Sequence, residues 1–183
     1  MKKILLLAAA AIMGMSAANA QVEFGAKVGF DLTNYWGEDV SHTLQPNYQA
    51  GLVMEYHAAP KFSVAPEVVF AAQGGKSDNL TFHANYVNVP VMLKYYVAPA
   101  FSIDFGPQVG FNVYSKARVD GVDYDLGLGS RTHWFSAGVG AGATYYLTDY
   151  MQFNVRYSIG LTRTFKDVDD HQGNVQIGAA FQF

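Results

Sequence analysis

Apolar side chains at every second position constrain this chain more than any other feature. Residues 175–183 read Val-Gln-Ile-Gly-Ala-Ala-Phe-Gln-Phe. That puts Val175, Ile177, Ala179, Phe181 and Phe183 on one side and Gln176, Gly178, Ala180 and Gln182 on the other. A strand turns successive side chains to opposite faces, so a period of two makes one oily face and one polar face. The pattern recurs in seven more segments: 22–33, 49–58, 62–73, 86–97, 101–115, 134–147 and 151–165. In the first of these, Phe24, Ala26, Val28, Phe30 and Leu32 alternate with Glu23, Gly25, Lys27, Gly29 and Asp31. Eight such segments make an even count, as single-chain bacterial barrels have.

The links between segments alternate in length. Ala59-Pro60-Lys61, Ala98-Pro99-Ala100 and Thr148-Asp149-Tyr150 are tight turns. The links at 34–48, 74–85, 116–133 and 166–174 are longer and carry most of the charge. Short periplasmic turns and long outer loops are the outer-membrane pattern, and they put both chain ends on the periplasmic side. Tyr, Phe and Gly are abundant, charged residues are only 15% of the chain, and no later run approaches the roughly 20 apolar residues of a membrane helix. The expected fold is all-β: one eight-stranded antiparallel transmembrane up-and-down β-barrel over residues 21–183. Pro66 and Pro90 lie inside two expected strands. Each lacks a ladder donor, so each is expected at a bulge or near a strand end.

Residues 1–20 are expected to be a cleaved signal peptide. Lys2 and Lys3 precede the apolar run 4–13, and Ala18-Asn19-Ala20 forms an A-x-A site before Gln21. The run is too short to span a membrane as a helix. Beyond it the chain carries ten Lys and Arg against fifteen Asp and Glu, since the first twenty residues hold two Lys and no acid. That acidic balance argues against a nucleic-acid partner. With no cysteine there is no disulfide, no thiolate metal site and no lipid-anchoring Cys after the signal.

Eight strands leave an interior just wide enough for side chains to fill. The inward positions include Glu23, Lys27, Asp31, Glu55, His57, Glu67, Lys94, Asp104 and Arg156. Buried charges persist only when paired and hydrogen-bonded. The expected arrangement is therefore a salt-bridged plug, a lumen charge network of Lys27, Glu55, Glu67, Lys94, Asp104 and Arg156. The sequence leaves its pairings open, and a proton or ion path along the carboxylates is the alternative. Gly138, Gly140 and Gly142 are expected to make room for Tyr96, Tyr114 and Arg156, with a ligand crevice as the sharper reading. Trp36, Tyr48, Tyr95, Trp134 and Tyr157 fit an interfacial girdle.

Candidate chemistry is thin. His57, His83, His133 and His171 are the histidines available to a hydrolase, but no serine stands beside one in a recognisable pattern. The loop 166–174 is rich in Asp yet lacks calcium-loop spacing, and 120–125 reads the same way. No cofactor, resident metal or catalytic residue is expected. These acidic loops are candidates for bridging divalent cations to lipopolysaccharide phosphates.

Four stretches carry a family likeness: 66–76 (Pro-Glu-Val-Val-Phe-Ala-Ala-Gln-Gly-Gly-Lys), 86–96 (Tyr-Val-Asn-Val-Pro-Val-Met-Leu-Lys-Tyr-Tyr), 106–110 and 156–161. They resemble the small outer-membrane β-barrel family common in Bacteroidetes, often labelled porin-family or PorT-like. The terminal Phe183 likewise resembles the C-terminal signature that barrel-assembly machinery reads. The resemblance implies an eight-stranded barrel in the bacterial outer membrane, in contact with membrane lipid, lipopolysaccharide and that machinery. The role expected is structural or surface interaction through the outer loops, with an unknown surface or envelope protein as a possible partner. A narrow porin-like channel or secretion-associated barrel is the alternative, and a lipid-modifying enzyme a third class.

Overall fold

The computed structural model describes residues 21–37, 45–77, 80–119, 122–125, 134–162 and 170–183. Nine antiparallel strands follow one another: β1 (Val22–Gly37), β2 (Gln45–Ala59), β3 (Phe62–Ser77), β4 (Leu80–Ala98), β5 (Phe101–Val119), β6 (Val122–Asp125), β7 (Phe135–Tyr146), β8 (Met151–Gly160) and β9 (Asp170–Gln182). Each pairs with its chain neighbour except that β7 pairs with β5 past β6, and β1 pairs with β9 to close the sheet. Eight strands therefore form the barrel wall. β6 is a short arm on the far end of β5, from Lys116↔Asp125 to Val119↔Val122.

Closure leaves the eight-stranded wall without an unpaired edge, which a sheet in lipid requires. Gln21, Phe183 and the tight turns share one rim. Phe183 N donates to Phe24 O (2.8 Å), Gln182 N to Tyr150 O (2.8 Å), and His57 N to Gln21 O (2.8 Å). At the β7–β8 turn, Thr148 Oγ1 accepts from Tyr150 N and Met151 N.

The two faces are the reverse of a water-soluble protein. Phe30 is 70% exposed on the outside while Asp31 beside it is 0% exposed on the inside. Among the described residues the buried apolar set is small (Val53, Ala65, Val69, Ala71, Tyr86, Met92, Ala180), and buried polar residues outnumber it. An uninterrupted exposed oily wall is far beyond the patch a soluble monomer tolerates; it is the lipid-facing side of a membrane barrel. Aromatic residues collect toward both rims. At the turn end Phe62 pairs with Tyr95 and Phe101 with Tyr145. Toward the other end Trp134 stacks on Phe111, which also meets Phe135 edge-on. Tyr48, Tyr95, Trp134 and Tyr157 all face outward; the Trp36 side chain lies outside the described residues.

Several sequence expectations need correction. The far links at 74–85 and 116–133 contain strand: β3 and β4 pair as far as Ser77↔Leu80, and β5 runs on to meet β6. Residues 74–79, Gly-Gly-Lys-Ser-Asp-Asn, carry no apolar alternation, so the period-two signal is interrupted where the β3–β4 ladder continues. β8 is shorter than the expected 151–165, ending at Gly160, and its ten residues match the roughly 9–11 a tilted strand needs to cross.

The prolines are not at bulges. The register shifts lie at His57/Ala59, Asn85/Tyr86 and Tyr96/Ala98. Pro66, Pro90 and Pro107 instead sit mid-strand at one level, Pro66 opposite Val91 and Pro90 opposite Gln108. Each of the three seams there skips two pairs: between Val53↔Glu67 and Tyr56↔Val64, between Pro66↔Val91 and Val69↔Asn88, and between Pro90↔Gln108 and Leu93↔Phe105. Proline cannot donate to the ladder, and each missing N–H accounts for one of these gaps.

Candidate functional site

Inward residues of all eight wall strands meet in the lumen, which is layered by chemistry. The layer nearest the turns is built on Glu55 of β2, fully buried. It accepts from Lys94 Nζ of β4 (2.8 Å), from the Tyr146 hydroxyl of β7 (3.0 and 3.1 Å), from Gln182 Nε2 of β9 (3.3 Å), and from the Tyr96 hydroxyl. Lys94 also donates to Gln152 Oε1 (3.0 Å) and to the Tyr146 hydroxyl (2.9 Å). Asp104 of β5 has no ion pair among the described residues; it accepts from Ser102 Oγ (2.6 Å) and Thr144 Oγ1 (2.5 Å).

The middle layer is a three-residue knot. Glu67 of β3 takes Lys27 Nζ of β1 on Oε2 (2.9 Å) and a two-pronged Arg156 guanidinium of β8, Nη2 to Oε1 (2.6 Å) and Nη1 to Oε2 (3.2 Å). In the ring of strands β3 and β8 stand on opposite walls, so this ion pair crosses the full diameter. All three side chains are buried. The space left beside them is about 10 Å³. A Cβ on Gly140 would stand 3.3 Å from Arg156 Cδ, and one on Gly142 would strike the β8 backbone at Val155 O. Those glycines do make way for Arg156. Tyr114 does not join them: it lies beyond the Asn85/Tyr86 register shift and is exposed.

Among the described residues the layer farthest from the turns is neutral apart from one acid. Asn88, Gln108, Ser136, Ser158, Thr162 and Asn174 line a cleft of about 30 Å³. Asp31 of β1 is fully buried, with the Asn174 side chain against it.

At the turn rim the structure makes a contact that sequence reading missed. Ser63 Oγ lies 2.9 Å from His57 Nδ1, and His57 Nε2 lies 3.4 Å from Glu23 Oε1. The signal was present in the short 59–61 turn, which forces His57 opposite Ser63. The row resembles a hydrolytic triad only in composition. Ser63 is 0% exposed and shares its hydroxyl with Tyr96 (3.4 Å), so no substrate carbonyl reaches it. An open basin of about 420 Å³ lies beside it, between His57, Pro60, Lys61, Tyr96 and Pro99. Tyr146 was the other omission; it is inward by simple alternation, as Gln152 and Gln182 were read to be, but attention to charge passed over it.

Among the described residues no three His, Asp or Glu side chains converge as a metal would need. The side chains of His83, His171 and residues 122–125 and 170–172, all of His133, 120–121 and 163–169 (so most of the acidic links 120–125 and 166–174 as candidate metal or lipopolysaccharide contacts), and the segment 1–20 lie outside the described residues. Phe183 places its side chain outward, 77% exposed, and touches the fold through backbone bonds to Phe24.

The fold has known counterparts. It is similar to Ail, the attachment invasion locus protein of Yersinia pestis, at a TM-score of 0.60 and 14% identity, over 89% of this chain and 99% of that one. It is also similar to Neisserial surface protein A, at a TM-score of 0.58 and 12% identity, over 88% of this chain and 97% of that one. At such identities the likeness is one of fold. No curated protein matches the sequence. Residues 16–166 match the family model for the outer membrane protein beta-barrel domain. A sheet closed on itself, oily outside and polar within, is the architecture that description names, and the chain belongs to the outer membrane protein beta-barrel domain family.

Proposed function

We propose that this protein is a non-conducting outer-membrane barrel whose role is to present its outer links to partners at the cell surface. The observation that carries the reading is the Glu67 knot. A two-pronged ion pair spans the lumen from wall to wall, and the gap beside it, about 10 Å³, is no wider than a single water needs. A porin-like or secretion channel requires a continuous aqueous path, and this layer interrupts it. Reconstitution into planar bilayers tests the point directly. The expected trace is flat at all voltages, and reproducible single-channel steps from folded protein would support the porin-like alternative instead.

The chemistry of the partner follows from the links. Together 34–48, 74–85, 116–133 and 166–174 carry five Lys and Arg against nine Asp and Glu. Such a surface favours cationic partners, or lipopolysaccharide phosphates bridged through divalent cations. Ail has been solved with the heparin analogue sucrose octasulfate, a polyanion that these acidic links would repel. Chelation is therefore expected to weaken association of the folded barrel with lipopolysaccharide vesicles, and unchanged association would remove the bridging model. The exposed Phe183 supports a role as assembly signal, and residues 1–20 are proposed as the export signal, with mass spectrometry of the mature chain expected to show Gln21 first. The narrower PorT-like placement is proposed on the 66–76, 86–96, 106–110 and 156–161 stretches, of which 86–96 is the most specific.

A further inference from the structure

The basin at the turn rim is used by neither the Glu67 knot nor the outer links. It lies between two neighbouring tight turns, 59–61 and 98–100. β4 runs past the start of β3 to make one of its sides: Tyr96 N donates to Lys61 O (3.0 Å), and Val97, Ala98 and Pro99 continue beyond. About 420 Å³ is open there, walled by the His57 and Tyr96 rings, Pro60 and Lys61 on one hand and by Val97 to Pro99 on the other.

Two kinds of chemistry meet in this space. The first is oil. Val97, two residues beyond the outward Tyr95, is 51% exposed and lines the basin, and Tyr95 stands beside Phe62 in the aromatic band of the wall. The basin is thus continuous with the lipid-facing surface. The second is charge. Lys61 is exposed and has no ion pair among the described residues, whereas the other Lys and Arg side chains described, Lys27, Lys94 and Arg156, are all buried in the lumen. Of the acids at this rim, Glu23 faces His57 (3.4 Å), and Asp149 lies in the β7–β8 turn, separated from the basin by β5. A cation just above an aromatic band stands at the level of the headgroups of a bilayer.

We propose that the basin holds the headgroup phosphate of one anionic glycerophospholipid, with Lys61 Nζ against the phosphate and the acyl chains lying along Tyr95 and Phe62. Free phosphate shares the headgroup chemistry, but only a lipid also uses the oily wall that adjoins the basin. Short turns face the periplasm in barrels of this kind, so the lipid belongs to the periplasmic leaflet and is not lipopolysaccharide. The site lies at the opposite end of the wall from the outer links and is independent of what they bind.

The test uses folded protein in bilayer nanodiscs of phosphatidylcholine with a minor share of phosphatidylglycerol. Native mass spectrometry reads how often the released barrel carries one phosphatidylglycerol rather than one phosphatidylcholine. Phosphatidylglycerol is expected to be enriched about fivefold over its share of the bilayer, the effect of one lysine on an anionic headgroup. Lys61→Gln is expected to remove the enrichment. Ala98→Trp, which fills the basin and keeps the lysine, is expected to remove it too. Adding Asp149→Lys to Lys61→Gln places a lysine in another turn and is expected not to restore it. Equal enrichment in the unaltered protein and Lys61→Gln would overturn the proposal, and so would recovery with Asp149→Lys, which would make general surface charge the cause. Excess inorganic phosphate is expected to leave the lipid in place; its displacement would assign the basin to free phosphate instead. Lys61 is exposed, so Lys61→Gln is expected to fold, and the heat-shifted band on a gel verifies this. If Ala98→Trp does not fold, the two Lys61 variants decide the matter.

Discussion

At the scale of single residues, Glu67, Glu55 and Phe183 show three different ways in which a side chain matters. Glu67 is the one carboxylate among the described residues that holds two cations, so its loss strands both Lys27 and Arg156 in a dry interior. Breaking one partner of a buried pair costs about 3–5 kcal/mol. Glu67→Gln is accordingly expected to lower the temperature at which heat-resistant migration on a gel is lost, and an unchanged transition would mean that water already reaches the knot. Lys94→Met acts on the layer below. It leaves Glu55 with Tyr96, Tyr146 and Gln182 as donors but no cation, and it too is expected to reduce heat resistance. Phe183 is the opposite case. Its side chain is exposed and its contacts are backbone ones, so Phe183→Ala is expected to refold normally in detergent yet accumulate poorly in the outer membrane of cells. Equal accumulation with unaltered protein would remove the assembly-signal proposal. The charged residues of the knot were legible as inward-facing from alternation alone. Their partners were not, because Glu67 and Arg156 come from opposite walls, and which of eight strands stand opposite depends on closure rather than on local pattern.

At the scale of elements, the wall is not uniform. The β1–β9 seam pairs without a break from Gly25↔Gln182 to Gly37↔Asp170, whereas the seams on both sides of β3 and of β4 each skip two pairs near Pro66, Pro90 and Pro107. Amide hydrogen exchange followed residue by residue is expected to show faster exchange at Val68 and Val89 than at Val28 and Ile177, since local opening starts where the ladder already lacks bonds. Uniform protection around the barrel would show that the lipid, not the ladder, sets the opening free energy. The prolines themselves were visible in the sequence. What was not visible was that they align at one level in neighbouring strands, which follows from register. The far ends of β3, β4 and β5 and the arm β6 escaped notice for a different reason: glycines, charges and the polar run 74–79 interrupt the alternation there. Tyr114 was misplaced because one bulge residue near it reverses the facing of everything beyond.

At the scale of the whole molecule, the architecture inverts the usual arrangement, with ion pairs and amides where a core would be and Phe, Val, Leu and Tyr on the outside. This much was legible from the sequence, because eight repeats of one period, sorted long and short links and a low charge content agree with one another. The absence of cysteine gives a clean way to test it. A single cysteine can be placed and spin-labelled at Phe153, Val155, Tyr157 or Ile159, which face outward along β8, with Asp149 in the turn as the aqueous reference. Relaxation by oxygen, which concentrates in hydrocarbon, is then compared with relaxation by a water-soluble nickel chelate in protein reconstituted into bilayers. The expected result is high oxygen and low nickel accessibility at the four β8 positions, deepest near the middle of the strand, and the reverse at Asp149. Nickel accessibility at the β8 positions equal to that at Asp149 would place the oily wall in water and contradict a membrane barrel.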